Sequence, residues 1–362
     1  MAIIRSYIPF SDEYIPPVLY GRDAEIYTIH KFLEPLKRQQ PTASNLFITG
    51  GVGVGKTVVA KFVRLNIPKE INSCYVQLNE QHTTHQILAE ISRSFFPDIQ
   101  IYGRATAELL SDFLNRMQKT PAVVIIDEVD KVPLATLRPI LHSFTRLSWM
   151  SLILLSRLPG VLTELPVDTK DSLRCRTLVF KPYNKDQLKG ILFQRAELAL
   201  HPNAINEEAV DCIAEYAAYF GNARLAIDIL KTACEEAEMS GNTTVTRKEA
   251  ENAIEIVEEQ SLEKAIVDLP LTYRLLLYAI MDISKLQPAE YKRVFYRWQT
   301  LLQHAGLPTF SKWKFYDIVL DLKKLDFIKT EKRGRGRGQG FLNVLVIPEN
   351  MQTILERLKE TR

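Results

Sequence analysis

Hydrophobic positions along the chain fall into two periods. Asn45 to Gly50 is a short apolar run ending in glycine, Ser73 to Leu78 a second, and Ala122 to Ile126 and Ser151 to Leu155 are unbroken apolar runs. Runs of this length predict buried strands. Between them, Thr57 to Arg64, His85 to Phe95 and Ala107 to Met117 repeat apolar residues at helical spacing. Strands alternating with helices predict a parallel sheet covered on both faces. After Pro182 the pattern turns purely helical: Lys185 to Leu200, Asn206 to Tyr219, Ala223 to Glu238 and Arg247 to Gln260. Beyond Pro270 come helical stretches over Leu271–Ile283, Ala289–His304 and Ser311–Leu325. Two strand-like segments follow, Phe327–Thr330 and Phe341–Val346, around a glycine-arginine turn. This order predicts an α/β core at 1–182, an all-α lid at 183–264 and a winged helix-turn-helix at 265–362. No internal repeat is visible, and low complexity is confined to 333–340.

Composition adds little to this picture until it is split by position. The hydrophobic and charged fractions, 46% and 25%, are those of an ordinary globular protein. No run reaches membrane-spanning length and no signal peptide is evident, so a cytoplasmic, membrane-free protein is expected. Cys74, Cys175, Cys212 and Cys234 have no metal or redox spacing and read as reduced, mostly buried thiols. The net charge is +3, yet Ala265 to Arg362 holds 17 Lys plus Arg against 10 Asp plus Glu. A polyanion partner for that end and a merely solvated basic surface are both consistent with this imbalance.

The strongest chemical signal is Gly50-Gly51-Val52-Gly53-Val54-Gly55-Lys56-Thr57, between a predicted strand and a predicted helix. In such a loop, glycines let backbone N–H groups turn around phosphate oxygens. A lysine reaches the outer phosphates, and a hydroxyl is placed for Mg²⁺. The helix N-terminus, continuing into Val58, adds its dipole. About seventy residues on, Asp127-Glu128 ends a strand, which puts Asp127 near a metal and Glu128 near an attacking water. ATP or ADP with Mg²⁺ is the expected cofactor, and His82, His85 and His142 are expected to be surface or packing residues. At the other end, Ser311 is positioned to cap a recognition helix carrying Lys312, Trp313, Lys314 and Tyr316 in its first two turns. The alternative is an ordinary amphipathic helix whose Trp313 and Phe315 are core, a reading that can hold for Phe315 in either case. The turn from Lys332 to Gly338 alternates glycine with Arg333, Arg335 and Arg337, a pattern suited to phosphates or a narrow minor groove and equally open to a solvated turn.

In order along the chain, Tyr14-Ile15-Pro16, Gly21-Arg22-Asp23, the P-loop, Asp127-Glu128, Phe180-Lys181-Pro182-Tyr183, Gly221-Asn222-Ala223-Arg224 and Leu269-Pro270-Leu271 precede the glycine-arginine wing. This ordered set resembles the AAA+ replication initiators of archaea, the origin-recognition/cell-division-control (Orc/Cdc-type) family, over nearly the whole chain. The resemblance implies that Tyr183 and Arg224 border the nucleotide, Arg224 as the lid arginine touching its phosphates. On the residues alone Arg224 could equally sit on the surface of an amphipathic helix. The resemblance also implies origin recognition on double-stranded DNA, recruitment of the MCM helicase and self-association on DNA. It further implies a second DNA contact near Arg104, where a break from Phe96 to Arg104 exposes apolar residues; loop packing is the alternative there. The sequence departs from the family pattern at Arg157, where a polar sensor-1 asparagine is usual, and at Asp168, where an arginine finger is usual. Arg174 and Arg176 are the candidate replacements. Those departures predict tight nucleotide binding with weak hydrolysis. They leave open a DNA-binding transcriptional regulator of the same fold; a protein-remodelling ATPase fits the basic wing less well.

Overall fold

The computed structural model describes residues 2–117, 120–334 and 341–360. They form two compact units, Met1–Ala253 and Ile254–Arg362. In the first, β1 (Leu46–Thr49), β2 (Asn72–Gln77), β3 (Ala122–Asp127), β4 (Met150–Ser156) and β5 (Arg176–Val179) make one parallel sheet, in the order β2-β3-β4-β1-β5. The register pairs Thr49 with Ser156 and Gln77 with Asp127, so the carboxyl ends of β1, β3 and β4 finish side by side.

Both faces of the sheet are buried, which is why its central strands read as unbroken apolar runs. Phe47, Val76, Val124, Ile126 and Leu154 pack to one side with α3 (Thr84–Phe95), α4 (Thr106–Met117) and α5 (Leu134–Phe144). Ile48, Val123, Ile125 and Leu155 pack to the other with α1 (Asp23–Leu33) and α2 (Lys56–Leu65). Ile99 and Ile101, expected on the surface, are buried among the first set, whereas Tyr102 of that stretch is exposed. The short α6 (Val167–Leu173) leads into β5. The lid helices follow: α7 (Lys185–Ala199), α8 (Glu207–Phe220) and α9 (Ala223–Met239), and the boundary between the two units falls within α10 (Arg247–Asp268). An Asn184 capping box starts α7, and left-handed Gly221 ends α8.

The second unit contains α11 (Leu271–Ser284), α12 (Tyr291–His304), α13 (Lys312–Lys324), the antiparallel pair β6 (Lys329–Gly334) and β7 (Phe341–Val346), and α14 (Glu349–Glu360). Its core centres on Trp298 and Phe315, both fully buried, with the Trp298 indole N–H donating to the Thr272 carbonyl at 2.9 Å. Met351, Ile354 and Leu355 of α14 close this core. All four cysteines are free thiols; Cys74 and Cys234 are buried, and Cys175 and Cys212 are half-buried. Among the described residues no helix is long and apolar enough to cross a membrane.

Candidate functional site

The carboxyl ends of β1, β3 and β4 open into a cavity of about 230 Å³, bounded also by the chain from Phe10 to Tyr20 and by the start of α9. Beyond β1 the chain turns through Gly53 and Gly55, both at positive φ (71° and 86°), before Lys56 starts α2. Glycine is required at both turns. A Cβ on Gly53 would stand 1.7 Å from the Asn222 side-chain oxygen, and one on Gly55 would stand 2.4 Å from the Tyr183 hydroxyl. The Lys56 ammonium donates to the carbonyls of Gly50 and Gly51, each at 2.7 Å. Burial pushes its pKa below the ordinary lysine value, against the opposing pull of Asp127. Val52, Val54, Thr57 and Val58 also line the cavity.

Asp127 is buried and accepts from the Thr57 hydroxyl at 2.6 Å, the Tyr75 hydroxyl at 2.8 Å and the backbone N–H of Glu128 at 2.8 Å. Burial and the Asp127 carboxylate raise the Tyr75 pKa far above the usual phenol range, so Tyr75 stays a donor. Tyr75 has no motif and was not legible in advance; its only signal was a place on β2, next to β3. Glu128 adopts left-handed backbone (φ 58°), uncommon for a non-glycine residue, and its carboxylate pairs with Lys131 at 2.6 Å. Thr57 and Asp127 supply two hard oxygens side by side, a donor set that suits Mg²⁺ completed by phosphates and water. No cluster of three His, Cys, Asp or Glu side chains that could hold a metal exists among the described residues.

Arg22 ties the loop to its surroundings. It is buried, donates from Nε to the Val54 carbonyl (3.1 Å) and from Nη2 to the Lys181 carbonyl (2.7 Å), and lies 3.8 Å from the Tyr183 ring centre. Arg224 opens α9 at the cavity wall and grips Asp12 with both arms, each at 2.7 Å. Neither Arg22 nor Asp12 was singled out from the sequence for these contacts; Gly21-Arg22-Asp23 was the available signal for the first.

Arg157 also lines the cavity, held by Asp130, while Asp168 lies exposed on α6 and pairs with Arg138 at 3.3 Å. Arg174 and Arg176 are not in this cavity. Arg176 begins β5 and therefore sits at the amino-terminal end of the sheet, where both residues border a separate recess with Asn45. Arg104 is half-buried and paired with Asp112 at 2.6 Å on α4.

In the second unit the Ser311 side chain accepts from the Lys314 N–H and caps α13. Lys312, Trp313, Lys314 and Tyr316 are exposed in the first two turns, whereas Phe315 faces the core. Arg333 is exposed on β6 beside Glu331 at 3.3 Å; Arg335 and Arg337 lie outside the described residues.

Three family models match the chain: an AAA ATPase domain over residues 18–163, a Cdc6 AAA+ ATPase-type lid domain over 189–255, and a CDC6 C-terminal winged helix domain over 264–356. The chain is 30% identical to the ORC1-type DNA replication protein of Pyrococcus abyssi over 348 residues, spanning 90% of this chain and 82% of that protein. It is 28% identical to ORC1-type DNA replication protein 1 of Sulfolobus acidocaldarius, over 99% and 94% of the two chains. Among solved structures, the Aeropyrum pernix ORC1 protein in complex with DNA matches with a TM-score of 0.75 and 26% identity, over 99% of each chain. The Aeropyrum pernix ORC2 protein, solved in ADPNP–ADP complexes, shares the fold at 20% identity and a TM-score of 0.63 over 99% of each chain.

Proposed function

Because the chain belongs to the ORC1-type DNA replication protein family, we propose that it is a replication initiator that binds double-stranded DNA at origin sequences while holding ATP or ADP, and that it helps recruit the MCM helicase. One observation carries the nucleotide half of this reading. The glycine loop, Lys56, the Thr57–Asp127 pair and Arg224 converge on one cavity at the carboxyl ends of the strands, where parallel α/β sheets take ligands. Backbone N–H groups of the loop cradle the inner phosphates and Lys56 reaches the outer ones, exchanging its carbonyl partners for phosphate oxygens. Thr57 and Asp127 hold Mg²⁺, which neutralises phosphate charge when bound. Arg224 leaves Asp12 for the nucleotide, and Tyr183 braces the loop from the lid side.

Hydrolysis on this reading is weak. Glu128 is committed to Lys131, the sensor-1 position carries a cation, and Asp168 offers repulsion where a finger arginine would offer attraction. The DNA half is supported by the exposed Lys312, Trp313, Lys314 and Tyr316 behind the Ser311 cap, and by Arg333 on the wing with Arg335 and Arg337 beyond it. The core, lid and winged helix assigned to 1–182, 183–264 and 265–362 are the units in which we place these roles. Self-association on DNA belongs to the same proposal. A single-turnover assay on nucleotide-loaded protein tests it: slow phosphate release with ATP retained is expected, and release at rates normal for active AAA+ enzymes would sink the hydrolysis claim.

A further inference from the structure

At the amino-terminal end of the sheet, opposite the strand ends that open into the nucleotide cavity, lies a second recess of about 770 Å³. It is bordered by α1, the end of α5, the end of α6 and the starts of β1, β4 and β5. Its floor is fixed by Asn45, just ahead of β1. The Asn45 side chain donates to the Leu173 carbonyl at 2.7 Å and accepts from the Leu152 N–H at 3.0 Å, while its own carbonyl accepts from the Arg176 N–H at 2.9 Å. One residue thus ties β4, β5 and the end of α6 to β1.

Four cations line this recess, Lys31, Arg146, Arg174 and Arg176, against a single carboxylate, Asp171. Arg116, Arg138 and Arg224, also exposed on this unit, each have a carboxylate partner. The recess arginines have none among the described residues. Arg146 donates to His142 Nε2 at 2.7 Å, Arg174 Nε donates to the Asp171 backbone carbonyl at 3.1 Å, and the Arg176 side chain makes no hydrogen bond or ion pair there. Arg174 carries a backbone cost as well. It ends α6 in left-handed conformation (φ 40°), at a position that suits glycine. Three guanidinium forks gathered without counter-charge, one of them on strained backbone, cost stability that a bound anion would return.

We infer that this recess is a second anion site, which takes a run of consecutive phosphates. Guanidinium forks match the paired oxygens of phosphate, and several of them around one open recess match a chain of phosphates better than a single ion. The exposed hydroxyls of Thr42 and Ser148 add donors to the same lining. Phe32, the one aromatic residue there, is half-buried against the core. A base therefore finds no open stacking platform and a peptide no aromatic anchor, so the contact is to phosphate alone. Free oligophosphate and nucleic-acid backbone share this chemistry, and the two sources are separated by experiment. The site stands apart from the nucleotide reading of the first cavity; only its nucleic-acid source rests on the DNA half of the proposed function.

Calorimetric titration of the full chain with tripolyphosphate, in saturating Mg²⁺ and ADP so that the first cavity is filled, reads the recess. Wild-type protein is expected to bind it. Arg174→Gly removes a guanidinium and gives the left-handed position its preferred residue, so the melting temperature should hold or rise while affinity falls about tenfold. Adding Arg146→Gln and Arg176→Gln should weaken binding further. Arg247→Gln makes the same change of charge on α10, where Glu251 is the partner, and should leave affinity within about twofold. Duplex binding by fluorescence anisotropy is the second arm. If the phosphates are those of DNA, the triple recess variant lowers the slope of log affinity against log salt by about three; if they are free, tripolyphosphate binding falls and the slope stays. Recess variants that change neither tripolyphosphate affinity nor the duplex slope overturn the inference, and so does a loss confined to polyglutamate, which would make the recess a peptide site. Wild-type protein that binds no duplex takes down the DNA half of the proposed function, and the tripolyphosphate arm then decides the recess by itself. Should the triple variant fail to fold, Arg174→Gly with wild-type tripolyphosphate affinity and wild-type duplex slope overturns it equally.

Discussion

Gly53 joins the phosphate loop to the lid, and replacing it with alanine should separate that role from the general glycine richness of the loop. Two costs add. Gly53 sits at φ 71°, in left-handed backbone where a side chain costs roughly 1–2 kcal/mol. The new Cβ would also fall 1.7 Å from the Asn222 side-chain oxygen, which accepts from the Leu225 N–H and caps α9. Displacing it forfeits a cap worth about 1 kcal/mol. The Ala223 N–H, which donates to the Gly53 carbonyl at 3.0 Å, stands beside both. The total is about 2–3 kcal/mol, and for a unit of some 250 residues that lowers Tm by roughly 4–12 °C. Gly51 is the internal control: its added Cβ meets only a Val54 methyl at 3.8 Å, in ordinary contact, and its φ is not positive. Gly51→Ala should therefore unfold within about 2 °C of wild type. Differential scanning fluorimetry of both variants is the assay. Equal melting temperatures for Gly53→Ala and Gly51→Ala would refute the coupling of loop and lid through Asn222.

Further outcomes are expected. On α13, Phe315→Ala should cost about 3–5 kcal/mol in denaturant unfolding because the ring is buried against Trp298. Trp313→Ala, at 82% exposure, should leave stability within about 0.5 kcal/mol yet weaken duplex binding in fluorescence anisotropy. Arg333→Ala should reduce the slope of log affinity against log salt by about one, and the triple alanine variant at Arg333, Arg335 and Arg337 by about three; an unchanged slope removes the wing from the interface. Burial alone would raise the Asp282 pKa, but its bonds to Lys359 (2.6 Å) and Arg297 (Nε at 3.0 Å) outweigh it and hold the carboxylate below its usual range. Its stabilising contribution is therefore present above the ordinary carboxylate range and lost as pH falls below about 4. Asp282→Asn should be less stable than wild type at pH 7, with the gap closing in acid; a gap constant down to pH 3 would contradict it.

Features with a strict local chemical requirement were legible in the sequence. The strand–glycine loop–helix, Asp127 at a strand end, and the Ser311 cap each need particular residues at particular offsets, and all three stand where the pattern put them. The split on α13 between core Phe315 and exposed Trp313 follows from helical period, though composition alone made both look like core. Elements whose signal is diluted were missed. β5 is a four-residue edge strand with largely exposed side chains, and so lacks the apolar run that marks its neighbours. α5 carries Pro139 inside it, and α14 is amphipathic but follows the wing after only two residues, Ile347 and Pro348. Contacts between distant segments had no local signature at all. Asp12 against Arg224, Arg22 against Val54 and Lys181, and Asp130 against Arg157 depend on the topology that brings them together.

We propose that this chain, holding a nucleotide and carrying a winged helix, marks replication origins. Genome-wide mapping of where it sits on DNA in growing cells, compared with marker-frequency profiles of replication starts in the same culture, tests that most directly. A few sharp binding clusters coincident with replication starts are expected, as is their loss in the Arg333, Arg335 and Arg337 triple alanine variant. Dispersed promoter peaks with no enrichment at replication starts would contradict it.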